Sequence, residues 1–133
     1  MKDRKLIFET IPDNFNKISA SIIKGDMLVA QSEIDNILNL INVSFSSFST
    51  FNLDQLIEEF AIKSGLDMDQ IEIIADCYWS YSKTDTDKSR KIEHLKKALK
   101  LFDWILIEDD SHFKFGREQK RKNVNSELNK ICI

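Results

Sequence analysis

The clearest register in this chain runs through Met27, Ala30, Ile34, Ile37, Leu38 and Ile41, apolar residues recurring at three- and four-residue steps. Gln31, Ser32, Glu33, Asp35, Asn36 and Asn39 fill the positions between them, so the spacing predicts an amphipathic helix. Lys24-Gly25-Asp26 stands before it. Gly25 can close an upstream helix, about 13–24, and Asp26 can cap the next. So short a connection makes the two helices an antiparallel hairpin.

A serine-rich stretch, 44–50, with Phe45 and Phe48 embedded in it, breaks the pattern. Asn52 followed by Gln55 has the form of a capping box, and Leu53, Leu56, Ile57, Phe60 and Ala61 make the next stripe, closed by Gly65. Asp67 with Gln70 repeats the start signal ahead of Ile71, Ile74, Ala75, Tyr78 and Tyr81. Ile73, Cys77 and Trp79 add apolar residues on other faces, which predicts the most enclosed helix of the fold. After a polar connection, 84–89, Ile92, Leu95, Leu99, Phe102 and Leu106 mark a fifth helix. Its solvent face is expected to hold His94, Lys96, Lys97 and Lys100. The stretch 104–115 has two readings, a short β-hairpin about Asp109-Asp110-Ser111 or a helix end near Ile107 with an acidic loop. The marginal stability of a lone hairpin favours the second. A weakly apolar sixth helix passes through Val124, Leu128 and Ile131.

With one proline and three glycines in 133 residues the chain is poorly supplied with turn formers, which favours a few long helices over a β-rich fold. The expected fold is all-α, five to six helices in antiparallel hairpins, either tetratricopeptide-like or an irregular helical bundle. The length suits one domain, 1–133, with a basic segment, 116–133, that could be loosely attached. The expected core includes Ala30, Ile34, Leu56, Phe60, Ile74, Tyr78, Leu95, Leu99 and Phe102. No apolar run approaches a membrane span or a signal-peptide core. Cys77 and Cys132, far apart, are expected as free thiols in a reducing cytoplasm.

Charge changes the picture more than composition does. Between Asp26 and Asp87 twelve acidic residues face only Lys63 and Lys83, whereas from Lys88 onward twelve basic residues face seven acidic ones. A net charge of -3 conceals this inversion. Such asymmetry bears on partners and solubility rather than on fold. It points to a basic protein or peptide as partner. The cluster Lys114, Arg117, Lys120, Arg121 and Lys122 could touch an anionic surface. The acidic run beside it disfavours nucleic acid and suits a solvated helix or one docked on the chain's own acidic face.

Candidate chemistry is sparse. No nucleophile motif or phosphate-cradling glycine loop is present. His112 after Glu108, Asp109 and Asp110 lacks the alternating ligands and central glycine of a cation loop, and reads as part of a solvated acidic loop. Two cysteines and two histidines without close spacing do not make a zinc site. The expectation is therefore no catalytic residue, no metal and no cofactor. Glu58 and Glu59, with Trp79 and Trp104 lying off the main stripes of their helices, are the candidate partner-binding residues.

The segment 24–38, KGDMLVAQSEIDNIL, resembles the turn and second helix of a tetratricopeptide repeat, with Gly25, Asp26, Ala30 and Ile34 at matching positions. Ile37 stands where a second small residue is usual. The preceding helix lacks the Trp-Leu-Gly-Tyr pattern, and the 71–102 pair echoes the unit only through Leu95 and Ala98. The resemblance implies a close helix approach at Ala30 and a helical surface that receives a peptide or partner helix. The function it implies is a cytoplasmic, bacterial-type protein-interaction module without chemistry of its own. An acidic inhibitor such as an immunity protein or antitoxin is the alternative, and an enzyme with a dispersed site is third.

Overall fold

The computed structural model describes residues 4–111 and 114–132. Among them the helical segments are six α-helices, a 3-10 turn and a π-helical segment, slightly more than the five or six expected, and no strand occurs. The chain is all-α. Its internal contacts divide it into two compact units, 1–50 and 51–133.

In the first unit α1 (Arg4–Ile23) pairs with α2 (Met27–Leu40). Helix α1 starts well before the expected position and continues through Pro12. An interior proline removes one backbone donor and crowds the carbonyl four residues back, at a cost of about 3 kcal/mol. Ile11 and Ile18, seven positions apart on one face, are both buried, and that packing outweighs the local penalty. The helix closes as a Schellman motif. Gly25 lies at φ +79°, Asp26 N–H donates to the Ser21 carbonyl, and Gly25 N–H donates to the Ile22 carbonyl. Asp26 precedes α2, yet its side chain makes no capping hydrogen bond, contrary to the expected role. Ala30, Ile34, Ile37 and Leu38 are fully buried on α2.

The serine-rich stretch is itself helical, as α3 (Phe45–Thr50). Ser44 Oγ accepts the Ser47 N–H at 3.1 Å, which starts the turn, and Phe48 is buried.

The second unit opens with the expected capping box at Asn52 and Gln55, but the box starts a 3-10 turn (Leu53–Gln55) that passes into a π-helical segment (Ile57–Lys63). The wide turn is closed by Ser64 N–H donating to the Glu59 carbonyl, five residues back. Leu56 and Phe60 are buried, with Phe51 edge-on to Phe60 at 5.3 Å. Helix α4 (Met68–Thr84) begins with the predicted capping box of Asp67 and Gln70. It buries six apolar residues, Ile71 to Tyr78, as its two-sided pattern requires. Helix α5 (Lys88–Glu108), capped by Asp87 on the Arg90 N–H, packs against both α4 and α6 (Phe115–Ile131).

Eight of the nine expected core residues are buried; Leu99 is half-exposed, and Ala98 and Leu101 take the buried phase beside it. The same rotation turns Lys97 inward to 5% exposure, with its ammonium 5.5 Å from the Tyr78 ring centre. It is therefore not on the solvent face. Loss of hydration there lowers the Lys97 pKa. Helix α5 ends at Glu108, close to the expected end near Ile107, and a loop follows. His112 and Phe113 lie outside the described residues. Both cysteines are unpaired, Cys77 buried and Cys132 exposed.

Candidate functional site: a charged seam under the last helix

Helix α6 carries two kinds of residue on one face. Arg117, Lys120 and Arg121 are followed by Val124, Glu127 and Leu128, all at three- and four-residue steps. Only Val124 and Leu128 are buried, so apolar packing holds the C-terminal half of the helix and charge holds the rest. The matching stripe on α4 is Asp69, Glu72, Asp76 and Trp79.

The two stripes meet in register. Arg117 spreads its guanidinium over three carboxylates, Nη2 to Asp69 at 2.7 Å, Nε to Glu72 at 2.8 Å and Nη1 to Asp109 at 2.9 Å. Lys120 bridges Glu72 at 2.8 Å and Asp76 at 2.9 Å. Trp79 Nε1–H donates to Glu127 at 2.7 Å. These partners are separated by 44 to 48 residues, and their numbers rise together along both helices, so α6 runs parallel to α4. On the other side Arg121 pairs with Asp103 of α5 at 2.7 Å. Cations near a helix N-terminus oppose its dipole. Arg117 and Lys120 sit there because carboxylates face them.

Lost hydration and the partners' hydrogen bonds and charges together set the proton affinities of these groups. Loss of hydration raises Glu72, but hydrogen bonds and charge from Lys120 and Arg117 outweigh it and leave its pKa below the usual range. In Asp76 desolvation wins over Lys120, and its pKa rises to about 6. Asp109 is held down to about 2, first by Ser111 and then by Arg117. This corrects the reading of Asp109 as solvated, since it is 4% exposed and accepts the Ser111 N–H at 2.9 Å. Lys120 and Arg117 lose hydration too, yet their carboxylate partners raise both pKa values.

The candidate residues fall in different places. Lys114 Nζ lies 3.4 Å from the Asp109 carbonyl, so four of the five basic-cluster residues touch their own chain, and Lys122 is exposed. Trp79 is half-buried, edge-on to Phe102 at 6.5 Å, with the Lys83 ammonium 4.9 Å from its ring centre. Trp104 is half-buried on α5 and its indole N–H meets no acceptor among the described residues; Ile107, one turn further, is 81% exposed. Glu58 is exposed on the π-helical segment and Glu59 pairs with Lys63 at 3.0 Å; neither enters the seam.

His94 is not a surface residue. Its side chain is 14% exposed, with Nε2 3.3 Å from Asp85 and the ring edge-on to Tyr81 at 4.6 Å. Desolvation lowers its pKa despite Asp85. Asp85 also receives Arg90 at 3.0 Å and stays ionised, with its pKa lowered. Among the described residues no group of His, Cys, Asp and Glu could hold a metal ion. No described helix is long and apolar enough to cross a membrane.

Sequence reasoning found the acidic and basic halves and offered a helix docked on the chain's own acidic face as one of two readings, but it did not identify which residues pair. The signal was present in the common phase of Asp69, Glu72 and Asp76 with Arg117, Lys120 and Arg121. Comparison with protein families, curated proteins and solved structures finds no match for this chain.

Proposed function

We propose that the protein is a cytoplasmic protein-interaction module, tetratricopeptide-like in its helical hairpins and without catalysis of its own, that receives a basic helical segment of a partner. One observation carries this reading: the acidic stripe of α4 already holds a basic helix, α6, through registered side-chain pairs. Helix α6 then acts as a resident ligand. Its few buried apolar residues leave it easier to displace than α4 or α5, because exchange with a second basic helix replaces like contacts with like. The unpaired cysteines suit a reducing compartment.

The test uses the full chain and a peptide spanning its own residues 114–131. Arg117→Gln with Lys120→Gln loosens the resident helix while leaving the acidic stripe intact. Anisotropy of a labelled peptide should show tighter binding to this variant than to the wild type, weakened by added salt. Equal, salt-independent binding to both proteins, or no binding to either, would refute the proposal.

A further inference from the structure

A second feature of the 51–133 unit lies beside the seam and shares Glu127 and helix α6 with it. Residues of α4, α5 and α6 line an open pocket of about 230 Å³. Leu95 and Ile131 supply apolar walls, and Lys83, Lys91 and Lys130 stand around it with the one carboxylate of Glu127. That carboxylate is occupied by the Trp79 indole N–H. Among the described residues none of the three lysines forms an ion pair.

Helix ends account for two of these lysines. Lys83 and Lys130 lie in the last turns of α4 and α6, where a cation complements the dipole. Lys91 does not fit that account. It lies near the N-terminus of α5, where a cation is disfavoured; its neighbour Arg90 is offset by Asp85, and Lys91 has no such carboxylate. Three lysine side chains beside an apolar wall, the Lys83 ammonium resting over the Trp79 ring, outnumber the one carboxylate of Glu127 and give this concave site a net positive charge.

We infer that this pocket binds a small organic anion with a compact apolar body, an aryl or short alkyl phosphate or carboxylate. Size supports the apolar part. An apolar cavity of about 150 Å³ is enough for benzene. The remaining volume suits an anionic head held among the lysines. Apolar surface from Leu95, Ile131 and the lysine stems, with charged groups beside it, is the usual make-up of a small-molecule site.

The test is an NMR titration of the full chain with phenyl phosphate, benzoate, inorganic phosphate and benzyl alcohol. Phenyl phosphate or benzoate should give saturable shifts at the amides of Ser82, Leu95 and Ile131. Inorganic phosphate and benzyl alcohol, each lacking one half of the recognised chemistry, should bind at least about tenfold more weakly. Lys91→Gln with Lys130→Gln, two substitutions outside the buried core, should preserve the spectrum and weaken phenyl phosphate by a similar factor. Absence of saturable shifts overturns the inference. So does inorganic phosphate binding as well as phenyl phosphate, or affinity unchanged in the double variant.

Discussion

Two interfaces of the 51–133 unit solve the same packing problem with different chemistry. Where α4 meets α5 the buried residues are Ile71, Ile74, Ala75 and Tyr78 on one helix and Leu95, Ala98, Leu101, Phe102 and Ile105 on the other. Where α6 meets the pair, two buried apolar residues are joined by ion pairs among Arg117, Lys120, Arg121 and five carboxylates. Apolar burial has no charge to screen or titrate, and each methylene removed is felt. A charged seam is screened by salt and titrates, and its carboxylates lose part of their hydration to form it. The fold therefore has a permanent half and a conditional one.

Cutting the apolar interface should have the largest effect. Phe102 is fully buried and meets Trp79 edge-on, so Phe102→Ala should destabilise by about 3–5 kcal/mol in denaturant unfolding. The loss should hardly change with added salt. Reversing the seam comes next. Arg117→Glu with Lys120→Glu places like charges against Asp69, Glu72 and Asp76. Both side chains keep some contact with water, so the cost should be about 2–4 kcal/mol rather than that of a fully buried pair. Hydrogen exchange should show protection lost in α6 while α4 and α5 keep theirs. Equal loss in all three helices would mean that the seam is not a separable element.

The pH dependence distinguishes the two interfaces more finely. The Asp76 pKa is raised from 3.8 to about 6 by desolvation, so the native state binds its proton more tightly than the unfolded chain. Its favourable contribution is present below about pH 4 and lost as pH rises towards 6 and beyond. Glu72 has the opposite sign, its lowered pKa adding stability that is lost in acid. Asp76→Asn should remove the decline between about pH 4 and 6, a change of about 1–3 kcal/mol, while the acid limb due to Glu72 remains. Unfolding curves across that range, followed for both proteins, check it. A parallel pH dependence would show that Asp76 is not the group responsible.

The apolar interface was legible in the sequence residue by residue, whereas the seam was legible only as one of two readings of the charge inversion. Spacing at three and four residues marks Ile71, Ile74, Tyr78, Leu95 and Phe102 because water excludes them wherever they lie. Spacing alone places charged residues on a common face but does not say whether that face meets water or a partner. Lys97 and Lys100 are alike in sequence, yet one is buried over Tyr78 and the other only half-exposed, a difference set by the rotation of α5. Likewise His94 is enclosed by Asp85 and Tyr81, neither of which its own helix supplies. Local propensity also misled where tertiary packing decided. Pro12 lies inside α1, and the serines of α3 form a helical turn.

The smallest expected effect separates a diffuse acidic field from a specific seam. Glu58 and Glu59 belong to the acidic middle, but Glu58 is exposed, and the half-buried Glu59 contacts Lys63, which is 59% exposed. Exposed pairs contribute little, so Glu58→Lys with Glu59→Lys should shift stability by no more than about 0.5 kcal/mol. Their effect on binding is the sharper measurement. If the sum of like charges steers a basic partner, reversing two of them should slow association and flatten its salt dependence. If the stripe of Asp69, Glu72 and Asp76 does the recognising, that reversal should change the association rate less than about threefold, because a field screened over about 8 Å reaches the peptide weakly from elsewhere on the surface. Stopped-flow association of the 114–131 peptide with the Arg117→Gln, Lys120→Gln protein, with and without the two glutamate reversals, decides between them. A rate that falls tenfold would assign recognition to the whole acidic middle, and the seam would then be one contact among many.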